Sequence, residues 1–469
     1  MVNVLSARYA SEAMNEIWSP ERKVVLEREL WIAVMRAQQR LGVAVPEEAI
    51  EAYEAVKEQV DLASIAEREA ITRHDVKARI DEFCALAGHE HIHRGMTSRD
   101  LTENVEQLQV RRSLEILRDR LVALLARFAS LAERHASQVM VARTHNVAAQ
   151  ATTLGKRFAD VAEETMIGIE RVEELLARYP LRGLKGPVGT RLDQLDLLGD
   201  PDQVDELEQA VAEHLGFSRV LDSVGQVYPR SLDLDVVAAI VQAVSAPSSA
   251  TTTLRLMAGH ELATEGFRPG QVGSSAMPHK MNARSSERVN GLKLVIDGHL
   301  TMAAGLAGRQ WNEGDVSCSV VRRVMLPDAF MAADGLIQTA LSVFDEFGVF
   351  PAVVEAELRR DLPFLATTRI LTAAVEGGLG REAAHELVKE HAVAAALDRR
   401  DGGDHASLVD RLADDPMMPL DRAGIEALLA DPEEFTGTAV TQVGRVVARA
   451  NAVLAANPGA AAATAEVRV

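Results

Sequence analysis

Residues 270–287 read GQVGSSAMPHKMNARSSE, which places Ser274, Ser275, His279, Lys280 and Asn282 close together in one segment. Serine hydroxyls beside a lysine are groups that can take a proton from a weak carbon acid and hold the resulting anion. A Gly-, Ser- and Pro-rich surface loop has the same composition, so this string alone leaves both readings open. Other polar clusters lie far away along the chain. They are Arg8-Tyr9 in ARYAS, Arg73-His74-Asp75, HEHIHRGMTSRD at 89–100, and Arg143-Thr144-His145. VGQVYPRS follows with Gln226 and Arg230, then WNEGDVSCSVVRRVMLPD at 311–328. Histidine exchanges protons near neutral pH, and arginine grips carboxylates and phosphates.

Each cluster has a plainer reading. Arg8 and Tyr9 by themselves resemble an exposed terminus, and His74 a solvated helix start. Thr97 and Ser98 precede a long helical pattern and suit an N-terminal cap, although free N–H groups there also bind anions. His145 reads as a capping histidine as readily as a catalytic one. His89, Glu90, His91 and His93 invite a zinc reading. They lie in a turn after Gly88 rather than on a helix and lack a cysteine partner, so no metal is expected.

The elements that must carry these residues are helical. Alanine and aliphatic residues supply most of the apolar content, with only 4% aromatics, a composition that favours helix over sheet. Helices are predicted over 20–41 and 47–60, and over the segment holding Val76, Ile80, Phe83 and Ala87. Leu114, Leu117, Leu121, Leu124, Phe128 and Leu131 recur at coiled-coil spacing. No Pro or Gly interrupts 99–136, so one helix of roughly 55 Å is expected there. A helix of that length points to a bundle, and to one shared between subunits. Further helices are predicted at 146–178, 201–215, 229–265, 284–308 and 326–346. Strand signals are weak, and the fold class is all-α, with three helical domains at 1–98, 99–350 and 351–469.

The net charge of −19 argues against nucleic-acid binding, which needs a basic face. Only Cys84 and Cys318 are present, so a reducing cytoplasm is expected rather than a disulfide framework. The N-terminus lacks the basic start and apolar run of a signal peptide, and no stretch of roughly 18 unbroken apolar residues suggests a membrane span.

The string GSSAMPHKMN closely resembles the signature of the fumarase/aspartase superfamily, whose members release fumarate by β-elimination. RYAS, RHDV at 73–76, GMTSRD at 95–100, RTH at 143–145, Gln226 and the segment Arg323–Asp328 follow in an order that resembles the adenylosuccinate lyase family. The resemblance implies a homotetramer built on a central long-helix bundle, with each site drawn from three subunits. It implies Ser274 as base, His145 as general acid, His74 as a second catalytic partner and Lys280 as the cation over the loop. It further implies substrate contacts from Arg8, Tyr9, Arg73, Asp75, Thr97, Ser98, Gln226, Ser275, Asn282, Ser319 and Arg323. Adenylosuccinate and SAICAR are the implied substrates, with no cofactor, nucleic acid or membrane partner. Loop closure over the substrate is expected for 270–283. Six positions depart from the family pattern: Ala283 replaces a proline, Gly314 an arginine, Asn146-Val147 a Gly-Gln pair, Cys318 a histidine and Val320 a serine. Argininosuccinate lyase and carboxymuconate cycloisomerase are the competing members, and an inactive reuse of the scaffold is the competing class.

Overall fold

A computed structural model describes residues 3–266, 276–277, 279–402 and 407–466. Nine helices and one hairpin position the site. In chain order they are α1 (Asp75–Ala87), α2 (Ser98–Arg134), β1 (Val139–Thr144), β2 (Val147–Thr153) and α3 (Leu154–Arg178). Then follow α4 (Ser231–Ala243), α5 (Ser245–Gly259), α6 (Arg284–Leu306), α7 (Ser317–Asp345), α8 (Pro351–Leu365) and α9 (Ala439–Ala456).

α2 is the axis of the molecule. Leu114, Leu117, Leu121, Leu124 and Phe128 are fully buried, because α3, α7 and α9 all pack around this one helix. Its start is fixed by Thr97, whose N–H donates to the Asp100 carboxylate at 2.8 Å. α7 runs parallel to it: Arg99 reaches Ser319 near both N-termini, and Arg127 reaches Asp345 near both C-termini. α6 returns antiparallel beside α7 through the short connection 307–316. The apolar segment Ser231–Gly259 is more than half buried and packs against α3 and α6 as part of this bundle. A separate core, with Ile370, Leu387, Leu412 and Ile425 at its centre, forms beyond the bundle. α9 then comes back onto α2 and α3.

Three expectations are corrected. The predicted 146–178 helix begins only at Leu154, because 139–153 form an antiparallel hairpin with Val139 opposite Thr153. Val139, Val141, Thr144, Val147, Thr152 and Thr153 are β-branched and favour the pleated surface. His145 and Asn146 take φ of +53° and +61°, the two left-handed residues of a tight hairpin turn. His145 therefore sits at a turn and does not open a helix. The predicted 229–265 helix is two helices, α4 and α5, which part at Val244, three residues before a proline that cannot donate a backbone bond. The predicted 326–346 helix starts nine residues earlier, at Ser317. There Asp315 accepts the Ser317 N–H at 2.7 Å and its hydroxyl at 2.6 Å, and Pro327 lies inside the helix.

Candidate active site

One group of predicted residues gathers where α1, α2 and α7 begin. His74 precedes the first turn of α1, and its Nδ1 accepts the Lys77 N–H at 3.3 Å. Arg73 before it has a left-handed φ of +51°, which turns the chain so that the imidazole faces α2. Its Nε2 then lies 3.4 Å from Ser98 Oγ. Asp75 is bridged by Arg79 at 3.0 Å and by Arg323 at 3.9 Å. Burial pushes the Asp75 carboxyl upward, but Arg79, the Val76 N–H and Arg323 outweigh it and hold the group below its ordinary value. The result is an anionic carboxylate beside an exposed imidazole.

The α7 side of this group is set by Arg99, whose guanidinium donates to Ser319 Oγ at 2.8 Å and pairs with Glu103 at 3.2 Å. Gln226 enters through its backbone, donating to the Glu313 carbonyl at 2.6 Å. Gly314 next to it has φ of +121°, and a Cβ there would stand 2.9 Å from Val227 Cγ2. No larger side chain fits that position without strain.

Beneath the surface a buried ionic network fixes the frame. Arg230 donates to both Glu103 oxygens at 2.8 and 2.7 Å. Arg322 Nε donates to Asp233 at 2.8 Å, and Tyr228 donates to the same carboxylate at 2.7 Å. Arg322 also pairs with Glu106. Burial opposes the Arg322 charge, yet Asp233 and Glu106 raise its pKa well above the usual value. The network joins α2, α4 and α7, and Arg322 anchors the turn that carries Ser319 and Arg323. Arg230 thus serves the frame rather than a ligand.

The histidine cluster is engaged elsewhere. His93 Nδ1 accepts the Trp31 indole N–H at 3.0 Å, and His91 Nδ1 lies 2.8 Å from Arg94.

A second group lies along the flank of α6 and α7. Tyr9 packs on Gly335, where an added Cβ would come within 2.6 Å of Tyr9 Cβ, and Arg8 beside it is exposed. The Arg288 guanidinium stands 5.8 Å from the Tyr9 ring centroid. Arg288 is absent from the sequence-based set. Its signal was its place in NARSSER, six residues past Asn282.

A third group lies at the opposite end of the bundle. His145 is exposed at the hairpin turn, and Arg143 ties the hairpin to α8 through Glu357. Lys280 and Asn282 line a recess of about 940 Å³ with Arg255, Glu287 and Phe350. Ser274 and Ser275, with the rest of 270–275 and residue 278, lie outside the described residues. α2 spans 37 residues, or about 55 Å at about 1.5 Å each. His74 lies near its first residue and the hairpin follows its last, so a single chain keeps His74 and His145 apart.

A lyase family model matches residues 7–298, and a model for the adenylosuccinate lyase C-terminus matches 363–446. Adenylosuccinate lyase of Schistosoma mansoni is 34% identical over 450 residues, covering 94% of this chain and 93% of its own. The Saccharomyces cerevisiae enzyme is also 34% identical, with the same two coverages, and that of Pyrococcus abyssi is 30% identical over 95% and 97%. Among solved structures, a 3-carboxy-cis,cis-muconate lactonizing enzyme from Pseudomonas putida superposes with a TM-score of 0.82. It is 22% identical and covers 96% of this chain and 99% of its own. A fumarate lyase from Mesorhizobium superposes with 0.80 at 20% identity, over 94% and 98%. At those identities the two structures speak for the fold.

Proposed function

The chain belongs to the adenylosuccinate lyase family of the fumarase/aspartase superfamily, and from that premise we infer its reaction and the residues that perform it. It is a carbon–nitrogen lyase that eliminates fumarate from adenylosuccinate to give AMP, and from SAICAR to give AICAR, in purine nucleotide synthesis. The observation that carries this reading is 34% identity to adenylosuccinate lyases over 94% of the chain.

The elimination removes a proton from the carbon next to a succinyl carboxylate and breaks the bond from the neighbouring carbon to nitrogen. Charge develops on the carboxylate as the proton leaves and on the nitrogen as the bond breaks, so fixed cations and a positioned acid lower the barrier. Ser274 is assigned as the base, with Ser275 beside it, and Lys280 as the cation facing the developing anion. His145 is assigned as the acid that protonates the departing nitrogen; its exposed position at a tight turn leaves the imidazole accessible. His74, aligned by Ser98 and flanked by Asp75, is the second catalytic partner. Arg8, Tyr9, Ser319 and Arg323 are assigned to the nucleotide phosphate. Thr97, Ser98, Gln226 and Asn282 are assigned to the succinyl and base portions, and Arg73 and Asp75 to substrate binding beside them.

The same placement supports a homotetramer with shared sites. His74 with Ser319, Tyr9 with Arg288, and His145 with Lys280 occupy three separate regions of one chain, and neighbouring copies must bring them together. A cytoplasmic setting follows from the pathway. The direct test is to supply adenylosuccinate, follow its ultraviolet absorbance, and identify AMP and fumarate among the products. Inertness toward adenylosuccinate and SAICAR, with turnover of argininosuccinate or a carboxymuconate, would reassign the substrate.

A further inference from the structure

Between the hairpin and helices α3 and α5 lies a cavity of about 400 Å³, within the size range of small-molecule sites. Leu154, Phe158, Leu254, Met257 and Phe344 make its walls apolar, and one end is cationic. Arg143 and Arg157 both reach this end. Arg143 already holds Glu357, and the rim carboxylate Asp160 is held by Lys156. The Arg157 guanidinium makes no hydrogen bond or ion pair with any described residue. Burial lowers the Arg157 pKa; Glu357 opposes that shift, Arg143 adds to it and Asp160 opposes it. Arg143, Arg157 and Arg360 thus face the buried Glu357 and the exposed Asp160, an excess of cation at the edge of an apolar space where charge is costly. Glu164, two turns further along α3, also lines the cavity, with no ion pair among the described residues.

We propose that this cavity binds a small amphiphilic carboxylate, its head paired with Arg157 and its apolar or aromatic body packed on Phe158, Leu254 and Met257. Guanidinium and carboxylate match in two-point geometry, and the walls supply the burial that a body of a few carbons needs. None of the residues assigned to the lyase reaction lines this space. It does touch the turn that carries His145, because Asn146 lines it and Arg143 Nη1 donates to the Asn146 carbonyl at 3.3 Å. The site stands on these contacts whether or not the chain is a lyase.

Calorimetric titration of the full chain with benzoate tests it, with AMP and fumarate present at saturation to occupy any catalytic site. The expected result is one benzoate per chain, bound at least tenfold more tightly than benzamide. Arg157→Gln is expected to weaken binding tenfold or more, and Thr253→Phe, which fills the cavity, to abolish it. Thr253→Phe keeps the test decisive if Arg157→Gln fails to fold. The site is overturned if benzamide binds as tightly as benzoate, if fumarate displaces it, or if the folded variants bind like wild type. Equal or tighter binding of benzylamine would give the cavity to Glu164 and overturn the carboxylate assignment.

Discussion

His93 shows how far a side chain's neighbours can move its chemistry. Burial holds its pKa down to about 4, opposed by Asp100 and reinforced by His74, and the Trp31 N–H occupies Nδ1. The folded state therefore prefers neutral imidazole, while the unfolded chain takes up a proton near 6.5. Stability from this preference is complete above pH 6.5 and is lost as pH falls toward 4, at most about 3 kcal/mol. Melting temperatures measured from pH 7 to 4 should fall less steeply for His93→Gln than for wild type. Equal slopes would remove His93 from the acid sensitivity. At His145 the expected effect is on catalysis. The exposed ring makes no packing contribution that its loss would disturb, so His145→Ala should fold normally and lose about 10²–10⁴-fold in turnover. A variant retaining more than a tenth of the wild-type rate would strip His145 of the acid role.

At the scale of elements, the hairpin 139–153 is the piece on which His145, the proposed acid, is mounted. Val141 is buried with Leu358 and Leu362 of α8, and Arg143 reaches the buried Glu357 on the same helix. Arg143→Met leaves Glu357 with Arg360 at 3.8 Å and the nearby Arg157 as its remaining cations. The expected cost is about 3 kcal/mol, at the low end for breaking a buried pair. It should appear as roughly 100-fold faster amide exchange in 139–153, with α2 unchanged. Equal acceleration in α2 would mean that the hairpin does not open by itself. The hairpin was hard to see in the sequence because VMVART and VAAQATT are short, and their β-branched residues acquire meaning only when each strand pairs with the other. The early start of α7 was hidden for a similar reason. SCSVVRR has no helical stripe of its own, and its Arg322 is stabilised by Glu106 and Asp233, both far away in sequence.

For the whole molecule, the separation of His74 from His145 by the length of α2 has a testable consequence. If each site takes the two histidines from different copies, His74→Ala and His145→Ala proteins should both be nearly inactive alone. Mixed and reassembled, they should regain partial adenylosuccinate turnover, because some sites then carry neither substitution. Absence of recovery after proven subunit exchange would contradict shared sites.

The sequence by itself determined the class of the molecule. The heptad-like leucines of 114–131 required a long buried helix, and the ordered motifs from Arg8 to Asp328 carried the family, because both are patterns of local spacing. Tertiary structure decided which polar residues are sealed into the frame and which stay accessible. Gln226 and Arg230 stand four positions apart in one motif, yet Arg230 is sealed against Glu103 while Gln226 lies beside Glu313 near the candidate site. Arg288 joined Tyr9 only when α6 folded alongside the N-terminal segment. The physical reason is common to these cases. A charged side chain is committed by the partner that compensates it, and for Arg230 the carboxylate gripped at both oxygens, Glu103, lies 127 residues away.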